Sequence, residues 1–197
     1  ALQGEGKTFV ASNLAATIAQ SLDEHVLLVD ADLRNPQLHN VFGLSCGQDK
    51  GLTTHLSEGT PLGELLCRTS IGKLTILPAG KTMANPAELL ASHKMKAFVS
   101  EVRDRYPDRV VIFDSPPTSL APESLIMANE VDGIFLLVRR ASTPRDVVRT
   151  TLDKFKHEKF MGVILNADKR STKLFKSKKH GSRGQGSGYG YGYGYKD

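Results

Sequence analysis

The chain opens with Ala1-Leu2-Gln3-Gly4-Glu5-Gly6-Lys7-Thr8. Glycines at 4 and 6, then a lysine and a hydroxyl residue, form the pattern of a phosphate-cradling loop, with alanine where such loops usually carry their first glycine. Small residues let successive backbone N–H groups converge on phosphate oxygens, and the helix that follows presents its positive end. Gly4, Glu5, Gly6, Lys7 and Thr8 are therefore candidate phosphate ligands. Lys7 would reach the outer phosphates of a nucleotide, and the Thr8 hydroxyl would ligate Mg²⁺. A loop of this type joins a strand to a helix. A strand is thus expected ahead of Ala1, and the sequence reads as a fragment of a longer polypeptide.

Downstream, Val26-Leu27-Leu28-Val29-Asp30-Ala31-Asp32-Leu33-Arg34 is an apolar run that ends in carboxylates. Such a run places negative charge at the carboxyl edge of a sheet, where open α/β sheets bind ligands. Alternation along an extended chain points Asp30 and Asp32 the same way, and two like-facing carboxylates ask for Mg²⁺ or an arginine. Val110-Val111-Ile112-Phe113-Asp114-Ser115-Pro116-Pro117 repeats the theme, and a strand ending in an aspartate is how phosphate-loop enzymes hold Mg²⁺. Each segment alone is a weak signal; the three in this order are a strong one.

Further apolar runs of strand length occupy Leu74–Pro78, Gly133–Val138 and Met161–Asn166, beside Val26–Asp30 and Val110–Asp114. Most are continuous rather than alternating, as in parallel strands covered on both faces. Helix-like stretches Thr8–Ser21, His93–Arg105 and Pro144–His157 lie between them, the last preceded by a Ser142-Thr143 cap. The predicted class is α/β, a three-layer open and mostly parallel sheet.

The 197 residues divide at about 167. Residues 168–197 carry eight Lys and Arg against two Asp, a net +6, which leaves 18 basic and 19 acidic groups in the rest. From His180 the composition is mostly Gly, Ser, Arg and Tyr; it cannot bury enough apolar area to offset ordering entropy, so residues 168–197 read as a disordered basic tail. No apolar run approaches the ~20 residues of a membrane span, and no signal peptide is present. Cys46 and Cys67 read as ordinary reduced thiols, which implies a cytosolic location. The six histidines show no metal-ligand spacing, which argues against structural zinc.

These residues resemble the bacterial tyrosine kinases of capsule and exopolysaccharide synthesis, a P-loop NTPase family of the partitioning or MinD-like subclass. The resemblance runs from Ala1 to about Asn166. Its most specific pieces are Val29-Asp30-Ala31-Asp32-Leu33-Arg34-Asn35-Pro36 and Asn85-Pro86-Ala87-Glu88-Leu89-Leu90, joined by Asp114-Ser115-Pro116-Pro117 and Gly162-Val163-Ile164-Leu165-Asn166. It implies a catalytic domain over residues 1–167 that uses ATP and Mg²⁺. Lys7 and Thr8 would serve the first Walker motif, Asp30 and Asp32 the family's extra acidic motif, and Asp114 the second Walker motif. Thr8, Asp32 and Asp114 would then be the metal ligands, and Lys7, Asp30, Asp32 and Asp114 the catalytic set, with Asp30 helping to deprotonate an incoming tyrosine. Tyr189, Tyr191, Tyr193 and Tyr195 resemble the family's C-terminal phosphate-accepting cluster.

The resemblance also implies an inner-membrane polysaccharide co-polymerase as activator, fused upstream or separate. A homo-oligomer, a cognate tyrosine phosphatase and a place at the inner face of the membrane go with it, and nucleic acid is not an expected partner. The family's arginine-bearing oligomerisation helix precedes the phosphate loop and has no counterpart in this sequence. Pro122-Glu123 stands where many members carry Thr-Asp. The nearest rival reading is a partitioning-type ATPase, whose extra lysine early in the loop is Leu2 here. A nucleotide-gated binding module without catalysis is another.

Four phosphotyrosines would add roughly −6 to −8 charges and cancel or overturn the +6 of the tail. We expect the unmodified tail to dock on an acidic site and the modified tail to be expelled. Light scattering should then report a smaller assembly for the phosphorylated chain than for one with all four tail tyrosines changed to Phe. Equal masses would refute the idea.

Overall fold

The computed structural model describes residues 2–46, 49–83, 85–118, 123–155 and 157–168. Tyr189, Tyr191, Tyr193 and Tyr195 lie outside them. The continuous apolar run at 26–29 becomes the centre of the fold: β1 (His25–Asp30) pairs in parallel with β3 (Leu74–Leu77) on one side and β4 (Arg109–Asp114) on the other. A two-residue edge strand, β2 (Cys67–Arg68), adds antiparallel to β3. β5 (Ile134–Arg139) and β6 (Phe160–Asn166) form a second, parallel pair.

Successive residues of β1 feed opposite faces. Leu27 and Val29 enter one core with Leu52 and Leu56 of α3 (Leu52–Glu58) and Phe98 and Val102 of α6 (His93–Arg105). Val26 and Leu28 enter the other with Ala15 of α1 (Lys7–Ile18) and Leu38 of α2 (Leu38–Val41). The short helices α4 (Leu62–Leu65) and α5 (Pro86–Leu90) contribute to the α3–α6 face, and α7 (Glu123–Glu130) adds Met127. This is the expected three-layer, mostly parallel α/β architecture.

The sheet is not one continuous ribbon among the described residues. The outer edges of β4 and β5 bound an apolar cleft of about 840 Å³, walled by Leu14 and Ile18 of α1, Val111 and Phe113 of β4, and Phe135 and Leu137 of β5. A strand leading into the phosphate loop, as the sequence predicts, would find a hydrogen-bonding edge on each side here.

Three local expectations are corrected. The helix expected over Pro144–His157 is shorter, α8 (Arg145–Leu152), because Phe155 turns inward to pack on Leu136. Its cap is not Ser142-Thr143; Pro144 is the capping residue without a side-chain bond, and Thr143 is used elsewhere. Cys46 and Cys67 are paired as a disulfide with Cα atoms 6.3 Å apart. The chain after α2 folds back to the edge strand β2, a proximity that a separation of 21 residues does not reveal.

Phe98 ties the larger core together: it is 1% exposed and meets the rings of His55 and Phe113 edge-on. Phe98→Ala should lower unfolding stability by about 3–5 kcal/mol, read as a reduced urea midpoint at unchanged slope.

Candidate functional site

The phosphate loop is held in shape by glycine. Gly4 and Gly6 have φ of 77° and 87°, in the left-handed region, and α1 starts directly at Lys7 with Val10 N donating to Gly6 O at 2.9 Å. At Gly6 a Cβ would also collide with the Asn166 side chain. That side chain donates from Nδ2 to Glu5 O at 2.7 Å. Arg139 Nη1 donates to Gly4 O at 2.9 Å, and Thr143 Oγ1 donates to Glu5 Oε1 at 2.6 Å. The ends of β5 and β6 therefore clamp the loop from one side.

The acidic segments arrive from the other side. Asp30 and Asp114 are register partners at the carboxyl ends of β1 and β4, 0% and 3% exposed. Asp30 Oδ2 accepts from Gln37 N at 3.1 Å and Leu38 N at 3.0 Å, and Oδ1 accepts from Asp32 N at 3.3 Å. It thus holds the 31–37 turn. The half-buried Asp32 accepts from Asn35 N at 3.1 Å. Thr8 hydrogen-bonds to Asp114. Lys7 Nζ folds back to donate to Leu2 O at 3.0 Å, within electrostatic reach of Glu5, Asp114 and Asp32.

The electrostatics follow from crowding acids into a dry edge. Burial pushes the Asp30 carboxyl up to about 7 against the backbone donors of Leu38 and Gln37, with Asp114 and Asp32 adding like charge. Burial also pushes Asp114 up to about 6, opposed by the Thr8 hydrogen bond and by Lys7. Desolvation lowers Lys7, and the neighbouring carboxylates counter it.

Lys7, Thr8, Asp30, Asp32 and Asp114 are thus gathered at one rim of the sheet, beside Gly4, Glu5 and Gly6. Sequence reading had missed Arg139 and Thr143, which carry no local motif; Asn166 ends a quoted segment but was given no role. The side chain of Glu123 lies outside what is described. No group of three or more His, Cys, Asp or Glu is arranged to hold a metal among the described residues. The hydroxyl and carboxylate oxygens of Thr8, Asp32 and Asp114 suit Mg²⁺, which keeps most of its waters and takes one or two protein ligands plus phosphate oxygens. Thr8 and Asp114, already bonded to each other, and the nearby Asp32 are the residues that would hold it.

Comparison with known proteins decides the family. Residues 3–134 match the family model described as an AAA domain. The tyrosine-protein kinase CpsD of Streptococcus agalactiae is 32% identical over 166 residues, 83% of this chain and 70% of that protein. YwqD of Bacillus subtilis, also a tyrosine-protein kinase, is 35% identical over 87% of this chain and 71% of its own length.

The chain belongs to the bacterial tyrosine-protein kinase family.

Solved relatives of the kinase agree. The VpsO kinase domain superposes with a TM-score of 0.76 at 36% identity, covering 84% of this chain and 80% of that one. The kinase domain of Escherichia coli ETK gives 0.77 at 30%, covering 97% and 69%. MinD from Pyrococcus horikoshii, solved with Mg-ADP, shares the fold at 0.65 and 21% identity, covering 86% and 68%.

The buried aspartates give the kinase a signed pH response. Their folded-state affinity for protons exceeds the unfolded value near ~4, so their stabilising share is complete below that value and is lost as pH rises through about 6 and 7. Ligand-free protein should melt roughly 5–10 °C higher at pH 5 than at pH 8, and Asp30→Asn should flatten that slope in differential scanning fluorimetry.

Proposed function

We propose that this chain transfers the γ-phosphoryl group of ATP to tyrosine hydroxyls, with Tyr189, Tyr191, Tyr193 and Tyr195 as acceptors. The convergence of Lys7, Thr8, Asp32 and Asp114 beside the phosphate loop carries this reading, together with membership of the kinase family. Backbone N–H groups of the loop and the N-terminal end of α1 would bind the phosphates. The Lys7 ammonium would leave Leu2 O to neutralise charge on the transferred group. Thr8, Asp32 and Asp114 would hold Mg²⁺, which would supply positive charge against the phosphates.

A free tyrosine has a pKa of about 10, six units above an ordinary carboxylate. Asp30, raised to about 7, halves that gap and is a better proton acceptor. Because Asp30 is buried, the 31–37 turn must yield before a hydroxyl reaches it. The P–O bond to the tyrosine oxygen forms as the bond to the ADP oxygen breaks, and the phenolic proton passes late to Asp30. Asp32 sits at the open side of the same turn and orients the site.

The relatives suggest the setting. This chain spans 70% of S. agalactiae CpsD but only 18% of E. coli etk, which it matches at 37% identity over 135 residues. The long forms have room for a fused membrane-spanning co-polymerase; the short forms would need a separate one. We place the chain in capsule or exopolysaccharide production on this ground, as a homo-oligomer opposed by a tyrosine phosphatase. No helix among the described residues is long and apolar enough to cross a membrane, so contact with the membrane would come through that activator.

Incubation with γ-labelled ATP and Mg²⁺, followed by peptide mapping, tests the assignment. Label should appear on the four tail tyrosines, and Lys7→Met and Asp114→Asn should each reduce it by about 100-fold with circular dichroism unchanged. Phosphate release without tyrosine label would make the protein an ATPase of the partitioning kind.

A further inference from the structure

The arm of chain that covers Asp30 is fastened at both ends. At its start, the Gln37 and Leu38 amides donate to the Asp30 carboxylate. Leu38 is fully buried, and Phe42 and Leu44 pack in part against the core that contains Val26, Leu28 and Ile76. After α2, Gly43 turns with a φ of 59°, and Leu44 N donates back to His39 O at 2.9 Å. The far end is held covalently, by the bond from Cys46 to Cys67. Cys67 lies in β2 as the register partner of Ile76 in β3, and β3 pairs in turn with β1. The arm that leaves the sheet at Asp30 is therefore tied back to the same sheet, two strands away.

The two sulfurs differ in access. Cys67 is 3% exposed, whereas Cys46 lies at the surface. We propose that Cys46–Cys67 is a redox modification site, open to low-molecular-weight thiols at Cys46, and that its oxidised form latches the arm over Asp30. The inference rests on the kinase reading, in which the 31–37 turn must yield before a tyrosine hydroxyl reaches Asp30. That reading also places the chain beside ATP, in a compartment where thiol pools keep cysteines reduced and a disulfide is usually transient and redox-sensing.

The exchange is balanced by two thiols. A thiolate attacks Cys46 Sγ, the bond to Cys67 breaks, and its electron pair leaves on Cys67 Sγ, which takes a proton from water. A second thiolate attacks the outer sulfur of the mixed disulfide; the small disulfide departs, and Cys46 takes up a proton in its turn. Once the bond is cut, the arm keeps the partly buried Phe42 and Leu44 as its holds beyond α2, and local opening becomes easier. The phosphate loop is fastened from the other side by Arg139, Thr143 and Asn166 and does not share the latch. Reduction should therefore quicken the tyrosine step and leave nucleotide binding alone.

The full chain, equilibrated with oxidised or with reduced glutathione, supplies the test. Iodoacetamide and intact mass should count no free thiol in the first state and two in the second. Hydrogen exchange without nucleotide should be about fivefold faster over residues 31–46 after reduction, with β4 unchanged. Tyrosine label from γ-labelled ATP should show kcat raised by about the same factor at constant KM for ATP. Cys46→Ser, at an exposed position, should match the reduced chain in both glutathione states. Free thiols in oxidised glutathione, equal exchange over 31–46 in the two states, or exchange that quickens equally in β4 would each overturn the latch. So would equal tyrosine labelling in an active enzyme, or a Cys46→Ser chain that still responds to glutathione. Absent tyrosine label in both states, with the exchange difference intact, would sink the kinase reading and keep the latch.

Discussion

Two carboxylates placed side by side in a dry sheet edge govern this molecule. Asp30 and Asp114 end neighbouring strands in register and see almost no water. Ionised and alone they would repel and be poorly solvated, which is why both bind protons more tightly than free aspartate. The arrangement is relieved by positive charge: the Lys7 ammonium, the N-terminal end of α1, and a bound divalent cation all act in the same direction. Mg-nucleotide would supply the same kind of relief.

Much of this was legible in the sequence because the chemistry is local there. A glycine-rich loop followed by Lys-Thr, and two apolar strands ending in Asp, need no tertiary information to be read. The parallel register of β1 with β4 then follows from two continuous apolar runs of equal length. What escaped reading was set by encounters between distant segments. Arg139 reaches Gly4 across 135 positions, and Thr143 reaches Glu5 across 138. Neither residue type at a strand end or in a loop announces such a role, and Thr143, expected as part of a helix cap, is drawn off by a buried glutamate. The Cys46–Cys67 pairing escaped for the same reason.

Asp30 shows how far strand alternation carries at a strand end. Alternation along an ideal strand points Asp30 and Asp32 the same way, but the strand ends at Asp30. Beyond it the chain turns back, and the amides of Gln37 and Leu38 at the start of α2 close onto the Asp30 carboxylate. Strand periodicity holds only while the chain is extended. The Asp30 oxygens are taken up by backbone donors of the turn, and Asp32 accepts from Asn35 N within it.

The turn closed by Asp30 also couples proton affinity to access. While its oxygens accept backbone hydrogen bonds, the carboxylate is shielded from a substrate hydroxyl and cannot act as a base. If the turn opened, the backbone donors that lower the pKa and the burial that raises it would both be lost, so proton affinity and access change together. An incoming cation at Asp32 and Asp114 would favour the ionised form. Ordered binding would use this: nucleotide with its metal first, to ionise Asp30, then tyrosine, to displace the turn and meet a base already free of its proton. A residue that locks the empty site can in this way be the one that completes the occupied site.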